Sequence, residues 1–171
     1  MLHKLFLISV LFCFASPAFS FEVVEKNIPE AKKVGEARLT YAFWDVYEAT
    51  LYAPKGTLQQ DKPYALSLRY LRDIAGDAIA NRSVEEIEKQ GFDDVEQLAI
   101  WKAKMLEIFP NVEDGTVLTA IFIPGNKTLF YEGSTNIGVI KDAEFTKRFS
   151  DIWLGENTSE SRLREELLGR L

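Results

Sequence analysis

One segment of the sequence combines a cation, two carboxylates and several large aromatic side chains. Residues 35–52, GEARLTYAFWDVYEATLY, contain Arg38, Asp45 and Glu48 in a pattern that alternates as in a β-strand. A guanidinium is permanently charged and offers a forked pair of donors that matches a carboxylate, while aromatic walls accept apolar groups. The segment is therefore compatible with a catalytic wall, a ligand pocket or a hydrophobic core. Its aromatic residues are Tyr41, Phe43, Trp44, Tyr47 and Tyr52.

Adjacent carboxylates are a second possible source of chemistry. Side chains that are neighbours in sequence point apart on helices and strands, so two adjacent acids are not expected to share a proton. Charge at the start of a helix explains the pairs Asp93-Asp94 and Glu85-Glu86 better. We therefore expect neither a glycosidase-type pair nor a metal site. The pairs are Asp93-Asp94, Glu85-Glu86 and Glu113-Asp114.

The N-terminal segment MLHKLFLISVLFCFASPAFS has the features of a secretory signal peptide. A basic start precedes an apolar run over residues 5–14, and small residues at Ala18 and Ser20 precede the expected cleavage after Ser20. The apolar run is about half of the roughly 20 residues that a membrane helix needs. We expect residues 1–20 to be removed and residues 21–171 to form a single periplasmic domain without an integral membrane span.

Cleavage would remove the only histidine, His3, and the only cysteine, Cys13. Nucleophile pairs with histidine, zinc sites with thiolate or imidazole ligands, and disulfides are then excluded. Chemistry would have to use carboxylates, Lys, Arg, Tyr or hydroxyl groups. The formal net charge of −6 disfavours a nucleic-acid partner, which needs a basic surface. We expect no cofactor and no metal.

Hydrophobic periodicity predicts an α+β fold with a mostly antiparallel sheet. In the third strand, Tyr64, Leu66, Leu68 and Tyr70 alternate with smaller and polar residues, so Arg69 is expected to face away from a helical layer. The sequence Ser-Val-Glu-Glu at 83–86 has the pattern of a capping box, which marks a helix start. The predicted strands are 37–44, 46–53, 64–71, 116–124, 127–133 and 134–140, and the predicted helices are 73–91, 93–109, 142–155 and 161–169.

Four segments of the sequence resemble the exported bacterial branch of the chalcone isomerase-like family. They are VGEARLTYAFWDVYEATLYAP, ALSLRYLRDI, FIPGNKTLFYEG and FSDIWLGENTSESRLREELLG. The strongest similarities are the pairs Val46-Tyr47 and Leu51-Tyr52 and the segment IWLG at 152–155. The resemblance covers nearly all of the mature chain. It implies an open-faced β-sandwich, in which helices cover one face of a large sheet and a ligand cleft lies between the two layers.

The resemblance alone does not imply isomerase activity, because one fold hosts many functions. In the plant enzymes of the family an Arg and a Lys stabilise substrate oxyanions, and a Thr and a Tyr organise a water molecule. Alignment on Val46-Tyr47 places Ala42 at the position of the Thr, and alignment on the strand at 64–71 places a residue near Gly76 at that of the Tyr. We therefore expect no chalcone isomerisation.

A second branch of the family, in plant plastids, binds fatty acids without catalysis and holds the carboxylate with an Arg and a Tyr. The resemblance thus implies a non-catalytic binder of a fatty-acid-like or other small apolar carboxylate. Here the cations offer the head-group contact, and the tyrosines offer hydroxyl donors. The candidate ligand-binding residues are Arg38, Thr40, Tyr41, Tyr47, Arg69, Tyr70 and Arg72.

Each candidate also has a structural interpretation. Arg38 has Glu36 nearby, Arg69 shares a polar face with Ser67, and Arg72 precedes Asp73, so each arginine could form a surface ion pair. The aromatic residues of 41–52 are interpreted first as core and second as one wall of a pocket. Two other classes of function remain open: an isomerase- or lyase-type enzyme acting on a small apolar ligand, and a scaffold with a closed cleft. The oligomeric state is also open.

Overall fold

The computed structural model describes the backbone of residues 18–171 and the side chains of residues 21–171. Residues 1–17, which hold most of the predicted signal peptide, lie outside this part, so cleavage after Ser20 stays a prediction. Six strands form one sheet in the order of the chain, and every pairing is antiparallel. The elements are α1 (Ala18–Asn27), β1 (Ala31–Tyr41), β2 (Trp44–Pro54), β3 (Tyr64–Tyr70), α2 (Gly76–Lys89), α3 (Val95–Ile108), β4 (Val117–Ile123), β5 (Lys127–Glu132), β6 (Thr135–Ile140), α4 (Ala143–Leu154) and α5 (Ser161–Leu167).

One face of the sheet, here called the inner face, packs against α2 to α5. Alternation in β3 sends Leu66, Leu68 and Tyr70 into this layer, as expected from the sequence. Phe145 and Phe149 stack on α4 with ring centroids 5.1 Å apart and meet Phe130 of β5. The α+β class with helices packed on one face of an antiparallel sheet is confirmed.

The opposite, outer face is partly covered by the fifth helix, α1, which the sequence did not predict. Val24 of α1 and Ile28, which directly follows the helix, are fully buried and pack with Ala65 of β3 and Ile121 of β4. The sheet therefore has two hydrophobic clusters, a large inner one and a small outer one.

The capping-box prediction at Ser83 is wrong. Helix α2 begins seven residues earlier, at Gly76, and Ser83 is an interior residue whose hydroxyl donates to the carbonyl oxygen of Ile79. The backbone N–H of Gly76 is satisfied by the side chain of Asn111, 35 residues away. A cap from so distant a residue has no local sequence pattern, so the local pattern at 83–86 was misleading.

The interpretation of Tyr41, Phe43 and Trp44 as core is also wrong, because all three are exposed. Tyr41 pairs with Trp44, so the chain reverses through a two-residue turn at Ala42 and Phe43. A register shift between Leu39 and Thr40 adds to the break in alternation. The strand pattern was extended across a turn that carries no Gly, Asn or Pro to mark it.

Candidate functional site

A cavity of about 570 Å³ lies between the inner face of the sheet and helices α2 and α4. This volume falls within the range of about 300–1,000 Å³ that is typical of small-molecule sites. The inner wall is apolar and largely aromatic, with side chains from β3, β4, β5, α4 and the end of α3. These residues include Leu66, Leu68, Phe109, Leu118, Phe130 and Phe149.

Arg72 lies at the mouth of this cavity and makes no ion pair with any residue of 21–171. Its position is fixed by the backbone, because the N–H of Leu71 donates to the carbonyl oxygen of Val46 at 3.0 Å. The guanidinium carbon lies 5.6 Å from the ring centroid of Trp44, an exposed cation–π contact. The expected ion pair with Asp73 does not form, so the five donors of Arg72 are available to a ligand.

Two tyrosines bring hydroxyl groups to the same cavity. Tyr47 and Tyr70 are paired across β2 and β3 with ring centroids 6.0 Å apart. The indole N–H of Trp153 donates to the Tyr47 hydroxyl at 2.9 Å, and no described residue hydrogen-bonds the hydroxyl of Tyr70. Burial raises the pKa of both phenols far above the usual value. Both keep their protons at neutral pH and can donate to a carboxylate.

A second charged group on the cavity wall is centred on Glu86 of α2, whose side chain is buried. Arg82 contacts Glu86 Oε1 at 2.6 Å and Lys89 contacts it at 3.0 Å, while the Ser159 hydroxyl donates to Oε2 at 2.6 Å. Burial acts to raise the pKa of Glu86, but the Ser159 hydrogen bond and the two cations outweigh it, so the pKa lies below its usual value. Arg82 is thus already compensated by an internal carboxylate.

Sequence reasoning missed Arg82 and Glu86. A usable signal exists, because Ile79, Arg82, Ser83 and Glu86 recur at helical spacing and so share the face of α2 that borders the cavity. Polar residues on the otherwise apolar face of a helix are a feature of binding sites. The interpretation of residues 83–86 as a capping box concealed this face.

The seven candidate residues from the sequence divide between the two faces of the sheet. Tyr41, Tyr47, Tyr70 and Arg72 line the cavity. Arg38, Thr40 and Arg69 do not, because they project from the outer face.

On that outer face, the two arginines form an ion-pair network. Arg38 contacts Asp45 at 2.8 Å and Glu48 at 2.5 Å, and Arg69 contacts the other oxygen of Glu48 at 3.1 Å. The Thr40 hydroxyl donates to Asp45 at 2.7 Å. Arg38 and Arg69 therefore form surface ion pairs, which was the structural interpretation of these arginines, although the partner of Arg38 is not Glu36.

The two positions aligned with isomerase residues carry no functional side chain here. Ala42 lies in the exposed β1–β2 turn, and Gly76 is buried at the start of α2. A Cβ atom added at Gly76 would overlap the carbonyl oxygen of Phe109, so this backbone arrangement accepts no side chain.

Comparison with known proteins shows the family. The family model described as chalcone isomerase-like matches residues 32–169, and the chain therefore belongs to this family. An uncharacterized protein of Haemophilus influenzae is 30% identical over 138 residues, which are 80% of this chain and 67% of that protein.

A solved structure shares the fold. The crystal structure of a fatty-acid binding protein of Arabidopsis thaliana superposes with a TM-score of 0.64 at 14% sequence identity, over 82% of this chain and 87% of that one. At this identity the similarity shows the fold alone. Within the described part of the chain, no helix is both long and apolar enough to cross a membrane.

Proposed function

We propose that the protein binds a fatty-acid-like or other small apolar carboxylate in the inner cavity without catalysing a reaction on it. The observation that carries this proposal is Arg72, a cation without an ion pair among residues 21–171, at the mouth of an apolar cavity. A guanidinium binds a carboxylate through two parallel hydrogen bonds. The apolar wall beyond it suits the acyl chain of the same ligand.

The tyrosines complete the proposed head-group contact. Tyr41 lines the cavity at its exposed end, and Tyr47 and Tyr70 line it further inside. The hydroxyl of Tyr70 has an unused donor, which a carboxylate or a carbonyl oxygen of the ligand would accept. The shared fold with a plant fatty-acid binding protein supports the same class of ligand.

We also propose that the protein acts in the periplasm after cleavage behind Ser20. The basic start, the apolar run and the small residues of the N-terminal segment support export. The apolar residues in and directly after α1 that pack on the sheet, Val23, Val24 and Ile28, all follow the proposed cut. Processing would leave this helix able to cover the outer face.

The proposal is tested by titrating delipidated protein with palmitate in a calorimeter. Arg72→Gln is expected to weaken binding by about 10-fold, equivalent to about 1.4 kcal/mol, because a hydrogen bond to a charged group is lost. Arg72→Lys should recover part of the loss, since an ammonium cannot form the two-pronged contact. Arg69→Gln is the matched control: it removes an arginine of the outer face and should leave the affinity within about twofold.

Three results would count against the proposal. Absence of palmitate binding by the wild type would refute the ligand class. Equal affinity of the wild type and Arg72→Gln would remove Arg72 from the site and turn attention to Arg82. A larger loss in Arg69→Gln than in Arg72→Gln would place the ligand on the outer face of the sheet.

A further inference from the structure

The β1–β2 turn carries a group of exposed aromatic side chains, here called the aromatic tip, that consists of Tyr41, Phe43 and Trp44. Their exposed fractions are 71%, 94% and 65%, respectively. Large aromatic residues bury most of their surface in typical domains, and three of them side by side on a projecting turn are a marked exception. No packing role within the described residues explains Phe43, whose side chain is almost wholly in solvent.

The backbone of the turn also departs from the usual pattern. Ala42 has a φ of 54°, in the left-handed region that favours glycine, and a side chain there costs roughly 1–2 kcal/mol. The turn nevertheless has Ala and Phe where hairpins prefer Asn and Gly. The sequence thus keeps an apolar residue in a conformation that a glycine would adopt at lower cost.

We propose that the aromatic tip docks the protein on the surface of a phospholipid bilayer. Tyr and Trp concentrate at the membrane–water interface, where a ring enters the acyl boundary and its polar atom stays among the head groups. Phe43 is the most exposed residue of the three and would enter deepest. A two-residue turn is narrow and convex, a shape suited to insertion between lipids rather than to a flat protein interface.

The charges around the tip fit a lipid head group. Arg72, which makes no ion pair within residues 21–171, lies over the Trp44 ring and can contact a lipid phosphate. The nearest acid of the hairpin, Asp45, is already bound by Arg38 and Thr40. No uncompensated carboxylate of the hairpin therefore opposes a phosphate at this point.

The tip is continuous with the cavity. Tyr41 belongs to both, and Leu39 and Val46, which flank the turn on β1 and β2, also line the cavity. Docking at the tip would bring the cavity mouth to the bilayer surface, where apolar acids partition. The two proposals share Arg72 and Tyr41 but are tested separately, since lipid binding by the tip is measurable without any fatty acid and through Phe43, which does not line the cavity.

The test uses cosedimentation of protein purified from its periplasmic fraction with phosphatidylcholine vesicles and with vesicles of phosphatidylethanolamine and phosphatidylglycerol. Both vesicle types are expected to bind the wild type, with a blue shift of tryptophan fluorescence. That shift reports on Trp44, because Trp101 and Trp153 are buried. Phe43→Ser should reduce partitioning on the order of 10-fold, since it removes a large apolar side chain from the lipid contact.

Val95→Ser is the control, because Val95 is a 76% exposed apolar residue outside the aromatic tip, on α3, a helix that packs on β6 at the other edge of the sheet. It should bind vesicles as the wild type does. The proposal would be overturned if the wild type does not bind vesicles or if Phe43→Ser binds them equally well. It would also be overturned if the wild type binds only anionic vesicles and salt abolishes this binding. A concentration-dependent dimer in sedimentation velocity that Phe43→Ser abolishes would overturn it as well, because it would assign the tip to a second copy of the chain.

Discussion

Protonation states limit what the cavity residues can do to a bound molecule. Tyr47 and Tyr70 hold their protons because burial raises the pKa of each phenol, and Arg72 is a permanent cation. These three groups donate hydrogen bonds and cannot accept a proton from a substrate at neutral pH. Glu86, a carboxylate on the wall, is occupied by Arg82, Lys89 and Ser159. Tyr47, Tyr70 and Arg72 are therefore suited to hydrogen-bond an anion and not to take up a proton.

Chalcone cyclisation is therefore expected to proceed at the buffer rate in the presence of the protein. In the alignment that the sequence resemblance implies, the hydroxyl-bearing positions of the plant enzymes fall on Ala42 and near Gly76, and neither residue has a side chain that could organise water. The rate and the stereochemistry of flavanone formation are measured by chiral chromatography at increasing chalcone concentration. Saturable, stereospecific product formation that Tyr70→Phe abolishes would show that a cavity tyrosine replaces the missing groups.

The candidate residues show what alternation can and cannot establish. Period-two alternation correctly placed Arg69 opposite Leu66, Leu68 and Tyr70. It could not identify Arg72 as the residue at the cavity mouth, because Arg72 follows the last strand residue. Its position depends on a hydrogen bond between Leu71 and Val46, residues far apart in sequence.

A hydrogen bond links α2 with the loop before α5 at the cavity wall. Glu86 of α2 accepts a hydrogen bond from Ser159, and both residues line the cavity wall. The bond joins segments 73 residues apart. Such a contact ties the two helical parts of the chain together at the cavity wall, so its loss should affect the stability of the whole layer.

Glu86→Gln is expected to lower the free energy of unfolding by about 1–2 kcal/mol at pH 7, because a charged, hydrogen-bonded group is lost. The folded-state pKa of Glu86 lies below the ordinary value of 4.5, so its stabilising contribution is present above that pH and disappears as the pH falls through the folded value. The difference between wild type and variant should therefore shrink below about pH 4.5.

Urea unfolding of the wild type and of Glu86→Gln at pH 7 and at pH 3.5 gives the difference in their free energies of unfolding at each pH. Glu85→Gln is the control, since Glu85 is exposed, pairs with the same Arg82, and should cost less than about 0.5 kcal/mol at either pH. A loss in Glu86→Gln that is the same at both pH values would show that Glu86 acts through packing and not through its charge.

At the level of elements, the sequence predicted all six strands and the four helices of the inner layer. Hydrophobic periodicity suffices for these elements because each buries one face against a common core. The sequence missed helix α1, the cap of α2 and the β1–β2 turn. The start of α2 and the β1–β2 turn are fixed by contacts with distant residues or by a strained backbone at Ala42, and neither leaves a local pattern.

The two faces of the sheet carry different features. The inner face holds the large core and the cavity, and the outer face holds the Arg38–Glu48–Arg69 network and the small cluster under α1. The two hydrophobic clusters share the strands but occupy opposite sides of them. Changes to the outer cluster should therefore alter stability without altering the shape of the cavity.

Cleavage after Ser20, as proposed, would make Phe21 the first residue of the chain. Intact-mass measurement of protein from the periplasmic fraction is expected to give Phe21 as the first residue, and recovery of intact Met1 in the cytoplasm would contradict the proposed processing.

The chain that starts at Phe21 keeps the outer cluster, whereas a chain that starts at Glu30 lacks the buried side chains of Val23, Val24 and Ile28. Its free energy of unfolding should fall by about 3–8 kcal/mol, since three buried Val and Ile side chains contribute about 1.5–3 kcal/mol each and such area estimates are too high by roughly 10–40%. Its affinity for palmitate should stay within about twofold, because the cavity lies on the other face, and a parallel loss of affinity would show that α1 supports the binding site through the sheet.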